Sequence, residues 1–374
     1  MVEANSEPVW FEPGSGRFRV VPETVSGTSS EEGDAVADLR TTTPTHSRIL
    51  GVGTYRPRRV VSNEEVCGRI DSTEEWIETR SGIRTRRFAD ADETLCDMAV
   101  LAGQEALKHA GITADEIDCV VLASMSNLVQ TPPAAVVVAH ELGAANAAGF
   151  DISAACAGFC HALAVGSDLV RAGSARHVLV IAAERMTDIV DPTDRTIAFM
   201  FADGAGAVVV GPSGEPGIGP VVRWADGSAR HALRMNTTWG EFRDDPSLEW
   251  PAMKMDGRRV FRWVVEHAVP AARHALDRAG IGVGDLTAFI PHQANLRMIE
   301  VMADLLGLPA HVAVATDVVT AGNTSAASIP SAMDRLLREE KAPPGGPALL
   351  IGFGAGLNYA GQVVLLPEVR KTDA

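Results

Sequence analysis

The chain has no excess of basic residues: 33 lysines and arginines stand against 48 aspartates and glutamates, a formal net charge of −15. That argues against a nucleic-acid binder, because phosphate contacts need a basic surface that releases counterions. Any acidic partner must instead find a local basic patch. No apolar run approaches the roughly 20 residues needed to cross a bilayer as a helix, so no membrane partner is expected. The first residues lack the charged and then apolar stretches of a signal peptide. The five cysteines, Cys67, Cys96, Cys119, Cys156 and Cys160, are an odd number without paired C-x-x-C spacing, which suggests neither a disulfide framework nor a zinc site. No acidic or histidine cluster stands at ligand spacing, so neither a metal nor another cofactor is expected. These absences describe a cytoplasmic protein in a reducing compartment.

What is present is a chain of 374 residues, 46% hydrophobic and 22% charged, enough to bury a large core in two domain-sized units. Residues 1–45 are rich in Glu, Ser, Thr, Gly and Pro and read as a loosely attached arm. From Arg48 onward short apolar runs with glycine punctuation alternate with helical patterns, the mark of an α/β sheet with crossover helices.

The chain also repeats itself. A helix running into Lys-His-Ala-Gly-Ile at 108–112, an acidic turn and an apolar strand from Cys119 match a helix into Asp-Arg-Ala-Gly-Ile at 277–281, an acidic turn and a strand over 286–290. The offset, from Ile112 to Ile281, is 169 residues, and it sets Cys156 against Ser325 within Gly-Asn-Thr-Ser-Ala-Ala-Ser at 322–328. Each half closes on a glycine-rich segment expected to feed a strand, at 203–210 and at 352–366. Residues 46–220 and 221–374 are therefore expected to form two similar α/β halves, with the equivalent turns meeting at their junction.

Cys156 lies in Asp-Ile-Ser-Ala-Ala-Cys-Ala-Gly-Phe at 151–159, where an apolar strand gives way to a helix. A thiol at a helix N-terminus feels unsatisfied N–H groups and the positive end of the dipole, both of which favour thiolate; the bland alternative is an inert buried cysteine. His292, in Pro-His-Gln-Ala-Asn at 291–295, follows a strand directly, where open α/β sheets build sites. His140, His161, His267 and His274 fall within helical stretches and are expected to be structural. Asn323 alone signals only a turn.

These motifs, in this order and joined by Gly-Phe-Gly-Ala-Gly-Leu at 352–357, resemble the β-ketoacyl-acyl-carrier-protein synthase III family of the thiolase superfamily. The resemblance runs from about Arg48 to Pro367 and is nearest to the priming ketosynthases of actinomycete aromatic polyketide synthases. It takes in Ser-Thr-Glu-Glu-Trp-Ile-Glu-Thr-Arg at 72–80, Asp-Pro-Thr-Asp-Arg at 191–195 and Met-Asp-Gly-Arg-Arg-Val-Phe at 255–261.

The resemblance implies a thiolase-like fold, a five-layered α-β-α-β-α sandwich, and a triad of Cys156, His292 and Asn323. Cys156 would take an acyl group from acyl-coenzyme A as an enzyme thioester. Malonyl acyl carrier protein would then lose carbon dioxide, and His292 and Asn323 would donate hydrogen bonds to the enolate oxygen. The backbone N–H groups of Cys156 and Ala355 would form the oxyanion hole, although the family usually has glycine where Ala355 stands. Trp76, Arg80 and Arg195 would meet the adenine end of coenzyme A and Asn295 the pantetheine. Thr131, where acetyl-preferring relatives carry a bulky aromatic, and Phe261 would shape an acyl pocket with room for propionyl or branched starters. Arg258, Arg259, Arg262 and Arg297 would dock the acidic carrier protein, and the protein would be a homodimer.

Three other chemistries stay open at this stage. Acyl transfer without condensation would keep the acyl-cysteine but release no carbon dioxide. A cysteine hydrolase would free the acid without a carrier protein, and a silent subunit would not need all three polar residues.

Overall fold

Strands and helices alternate along the chain, and the computed structural model describes them over residues 46–368. The arm expected over residues 1–45 lies outside the described residues.

Two five-stranded sheets form the frame. The first contains β1 (His46–Tyr55), β2 (Cys119–Ala123), β3 (Ala148–Ile152), β4 (Val178–Glu184) and β5 (Gly204–Ser213), in the order β1-β5-β4-β2-β3. The second contains β6 (Val222–Ala225), β7 (Ala288–Pro291), β8 (Ala313–Val314), β9 (Pro347–Gly354) and β10 (Asn358–Leu365), in the order β6-β10-β9-β7-β8. Order and polarity are the same in both: two antiparallel pairings followed by two parallel ones.

Helix α1 (Leu95–Ala110) covers the outer face of the first sheet, and α3 (Val269–Ala279) that of the second. Between the sheets lie α2 (Gly158–Arg171) and α4 (Ser328–Arg338), each touching strands of both. The result is the five-layered α-β-α-β-α sandwich. Strands covered on both faces read as continuous apolar runs rather than alternating ones, and every residue of β4 is buried. Its last residue is a carboxylate, Glu184, buried with the rest.

The repeat holds at 169 residues for the acidic turns, Ala114–Glu116 and Val283–Asp285, and for β2 and β7. At the nucleophile it has slipped by one. The short turns Ala155–Ala157 and Ser325–Ala327, and the helices α2 and α4 that follow them, correspond at an offset of 170. Ala155, not Cys156, is therefore the counterpart of Ser325, and both hold left-handed backbone, φ +48° and +49°. The glycine-rich 352–357 segment ends β9 and turns the chain back as a hairpin into β10, the strand it was expected to feed.

Helix α1 lies almost in van der Waals contact with β1 because that strand presents glycines to it. A Cβ on Gly53 would sit 2.2 Å from the backbone nitrogen of Ala106, and one on Gly51 2.4 Å from that of Ala110. Backbone atoms cannot swing aside as a side chain can, so the layer would have to separate. Gly53→Ala is expected to lower stability by about 1–3 kcal/mol, the usual range for overpacking, read as a reduced urea midpoint.

Candidate active site

The polar residues of the site stand at the C-terminal ends of the parallel strands, where sheets of this kind leave a crevice. Cys156 follows β3, Glu184 ends β4, His292 follows β7 and Gly354 ends β9.

Cys156 sits in the turn Ala155–Ala157 just ahead of α2, 4% exposed. Glycines let two other segments close on it. A Cβ on Gly354 would lie 2.7 Å from the Cys156 nitrogen, and one on Gly352 2.9 Å from the Ala157 α-carbon. Burial pushes the thiol up to about 12, while a hydrogen bond with Ser325 works in the other direction. The helix N-terminus favours thiolate, so the environment expected from the sequence is opposed here by desolvation.

The second turn brings its own fixed geometry. Asn323 is anchored by its backbone, its N–H donating to Met200 and its carbonyl accepting from Ala202, both at 2.9 Å. Its Oδ1 accepts from the Ser325 N–H at 2.9 Å, which sets the orientation of the amide and leaves Nδ2 as the outward donor, 3.4 Å from the Ala294 carbonyl. Left-handed backbone at Ser325 aims its hydroxyl across the junction, 3.3 Å from Cys156 Sγ and 2.9 Å from Glu184 Oε1.

His292 is 2% exposed, its backbone N–H donating to the Ile351 carbonyl at 2.8 Å and its ring meeting Phe353 edge-on at 5.2 Å. Burial drives the imidazole down to about 3, only partly offset by a hydrogen bond to the Ser325 backbone. The ring is therefore neutral near pH 7. Its Nδ1 lies 2.8 Å from Ser328 Oγ, which also accepts the Gln293 N–H at 3.2 Å. With the Ser328 hydrogen assigned to Nδ1, the other ring nitrogen carries the N–H and is a donor.

Cys156, His292 and Asn323 line one cavity of about 1020 Å³. Its walls come from Phe199, Phe201, Phe353, Leu357 and the helix Gly257–Trp263, which continues through a π-helical turn, Val264–Ala268, into α3. Thr73 caps a helix that carries Trp76 and Arg80 on one face, at the cavity wall. The guanidinium groups of Arg195 and Arg80 lie 5.1 and 5.5 Å from the Trp76 ring centroid.

The chain matches the family "3-Oxoacyl-[acyl-carrier-protein (ACP)] synthase III" over residues 150–227 and the C-terminal part of that family over residues 276–366. A β-ketoacyl-[acyl-carrier-protein] synthase III of Streptomyces lividans is 61% identical over 328 residues, 88% of this chain and 97% of that protein. The chain belongs to the β-ketoacyl-acyl-carrier-protein synthase III family. A Mycobacterium avium member is 47% identical over 87% of this chain and 98% of its own. Among solved structures, the priming β-ketosynthase of the R1128 polyketide pathway superposes with a TM-score of 0.88 at 60% identity, covering 89% of this chain and 99% of that one. The synthase III of Aquifex aeolicus follows at 0.79 and 35%, covering 85% and 99%.

Against that family pattern, the lining of the cavity contains Trp76, Arg80, Arg195, Asn295, Phe261, Arg258, Arg262 and Arg297. Asn295 has a further job, since its Oδ1 caps the helix Leu296–Leu306 by accepting the Met298 N–H at 2.9 Å. Arg259 and Ala355 are not among the lining residues, and Thr131 is exposed on the surface of its own chain. Of two residues next to the triad, Glu184 lies in no motif, and Ser328, the last residue of the 322–328 motif, was given no role from sequence.

Because His292 is neutral when folded but binds a proton when unfolded below about pH 6.5, folding loses stability as pH falls from there toward 3. The loss is expected to approach about 1.4 kcal/mol per pH unit from this residue. His292→Asn should flatten that fall by about one proton's worth of slope in urea midpoints taken between pH 6.5 and 4.

Proposed function

We propose that this member of the family primes a fatty acid or polyketide pathway by condensing a short acyl-coenzyme A starter with malonyl acyl carrier protein. The observation that carries the proposal is the convergence of a cysteine and two neutral hydrogen-bond donors on one cavity, with an Arg–Trp–Arg cluster on its wall.

Trp76, Arg80 and Arg195 offer an aromatic face and two cations to the adenine and phosphates of coenzyme A, and the free amide of Asn295 faces pantetheine. Cys156 attacks the thioester carbonyl, and the oxyanion takes N–H groups of Cys156 and Ala355. After coenzyme A leaves, malonyl carrier protein occupies the same cavity and loses carbon dioxide. The enolate oxygen accepts from the protonated ring nitrogen of His292 and from Asn323 Nδ2. Both donors are uncharged and preoriented, so they stabilise developing charge without reorganising. The carbanion then attacks the acyl-cysteine and expels the thiolate. Neither a metal nor another cofactor enters this sequence.

Arg258, Arg259 and Arg262, on an exposed helix, and Arg297 beside the His292 motif form the proposed docking patch; none has an acidic partner among the described residues. The two halves, 46–220 and 221–374, are proposed as the structural units that the twin sheets represent. The edge strand β3 and its surroundings expose Leu128, Val129, Val136 and Phe150, and this apolar edge supports a homodimer in which Thr131 reaches the partner's acyl pocket. Unpaired cysteines suit the reducing cytoplasm.

Intact-protein mass spectrometry after mixing with acyl-coenzymes A tests the chemistry directly. Cys156→Ala should gain no acyl mass. His292→Ala should still load but form 3-ketoacyl product and carbon dioxide roughly 100-fold or more slowly; loading of the Cys156→Ala variant would sink the assignment. For the starter, propionyl and branched groups should load readily, and Thr131→Phe should cut branched loading by about 10-fold or more, an unchanged profile removing Thr131 from the pocket.

A further inference from the structure

Loading Cys156 requires that its thiol hydrogen go somewhere, and His292 is a poor destination because burial disfavours its protonated form. The side chain hydrogen-bonded to the sulfur belongs to Ser325, 3.3 Å away, and the same hydroxyl lies 2.9 Å from Glu184 Oε1. A hydroxyl has a single hydrogen. Directed at a carboxylate, that hydrogen leaves a lone pair facing the sulfur.

The rest of the Glu184 environment fixes which of its oxygens can receive a proton. Oε2 accepts the backbone N–H groups of Met125 and Ser126, each at 3.1 Å, and the Ser124 hydroxyl at 3.1 Å. It also accepts from Ser126 Oγ, whose own lone pair is taken by the Arg185 N–H at 2.8 Å. Backbone N–H groups can only donate, so Oε2 stays an acceptor and Oε1, facing Ser325, is the one oxygen open to protonation. None of these partners is a cation, and Glu184 is wholly buried.

We propose, building on the acyl-cysteine chemistry above, that Ser325 and Glu184 form a proton relay that stores the Cys156 thiol hydrogen on Glu184 for as long as the acyl-enzyme exists. During loading the Sγ–H hydrogen passes to Ser325 Oγ while the Ser325 hydrogen passes to Glu184 Oε1. The sulfur forms the new thioester bond, and the carbon–sulfur bond to coenzyme A breaks. Coenzyme A departs as a thiolate and takes its proton from solvent. When condensation expels the Cys156 thiolate, the relay runs backwards and Glu184 is again a carboxylate. Over a full cycle one proton enters from water, which balances the carbon dioxide lost from an ionised malonyl group. Burial raises the proton affinity of Glu184, which brings it toward that of the thiol it serves. Ser325, in contact with the reacting sulfur, is thus a catalytic residue, and Glu184 acts on the nucleophile through it.

The test counts protons in the native enzyme. Mixing it with propionyl-coenzyme A near pH 7 in a weakly buffered indicator solution, with no malonyl carrier protein, should take up about one proton per acyl group loaded, the loading being read in parallel by intact mass. Ser325→Ala and Glu184→Gln should load roughly 100-fold more slowly and without proton uptake, while the double variant should be no slower than either single one. Acyl-enzyme formed by the native protein without proton uptake would overturn the relay and leave the condensing chemistry intact. Absence of acyl mass on Cys156 would instead overturn the parent proposal. The native count decides the matter even if a variant fails to fold.

Discussion

Everything in this site depends on the meeting of two short turns, Ala155–Ala157 and Ser325–Ala327, each the entrance to a central helix. They approach closely because what lies between them is small: a Cβ on Gly158 would already stand 3.1 Å from that of Ala123 and 3.5 Å from that of Ala326. In each turn one non-glycine residue holds left-handed backbone, a conformation that costs on the order of 1 kcal/mol for an L residue. The surrounding layers hold it there. In the first turn it orients the thiol, and in the second it sends a hydroxyl across the junction to meet it.

The electrostatics follow from that burial. Cys156, His292 and Glu184 are all nearly or fully removed from water, and desolvation works against the charged form of each. The imidazole responds by staying neutral, which suits a hydrogen-bond donor and disqualifies a proton carrier. Glu184 accepts hydrogen bonds on both oxygens and so can hold charge without a cationic partner. The site contains acceptors and donors in fixed places rather than an ion pair.

Much of this was legible in the amino-acid order. Alternating apolar runs and helical patterns predicted the sheets, and the motifs at 151–159, 291–297 and 322–328 predicted which polar residues would share a cavity. Trp76 and Arg195 likewise sit together although far apart in the chain. Glu184 was not legible, because a glutamate after a Val-rich strand looks like any residue re-entering solvent; only the fold shows that β4 ends inside. The one-residue slip that pairs Ser325 with Ala155 was hidden for a related reason. An offset measured on helix and strand takes no account of the extra residue that the second half accommodates between β7 and the turn Ser325–Ala327. The 352–357 segment feeds a strand as its pattern suggested, but its glycines do more than the sequence showed: Gly352 and Gly354 also let β9 close on the Cys156 turn.

The arginines at the cavity rim carry a kinetic consequence. On a chain of net charge −15, the positive potential of Arg258, Arg262 and Arg297 is local, and beyond a Debye length of about 10 Å at 0.1 M ionic strength the overall repulsion of anions is screened as well. Attraction of an anionic partner is therefore short-ranged, and it selects for orientation once two molecules are already close. Added salt would weaken capture at the rim and leave untouched the apolar grip deeper inside, so that encounter and residence respond to the medium independently.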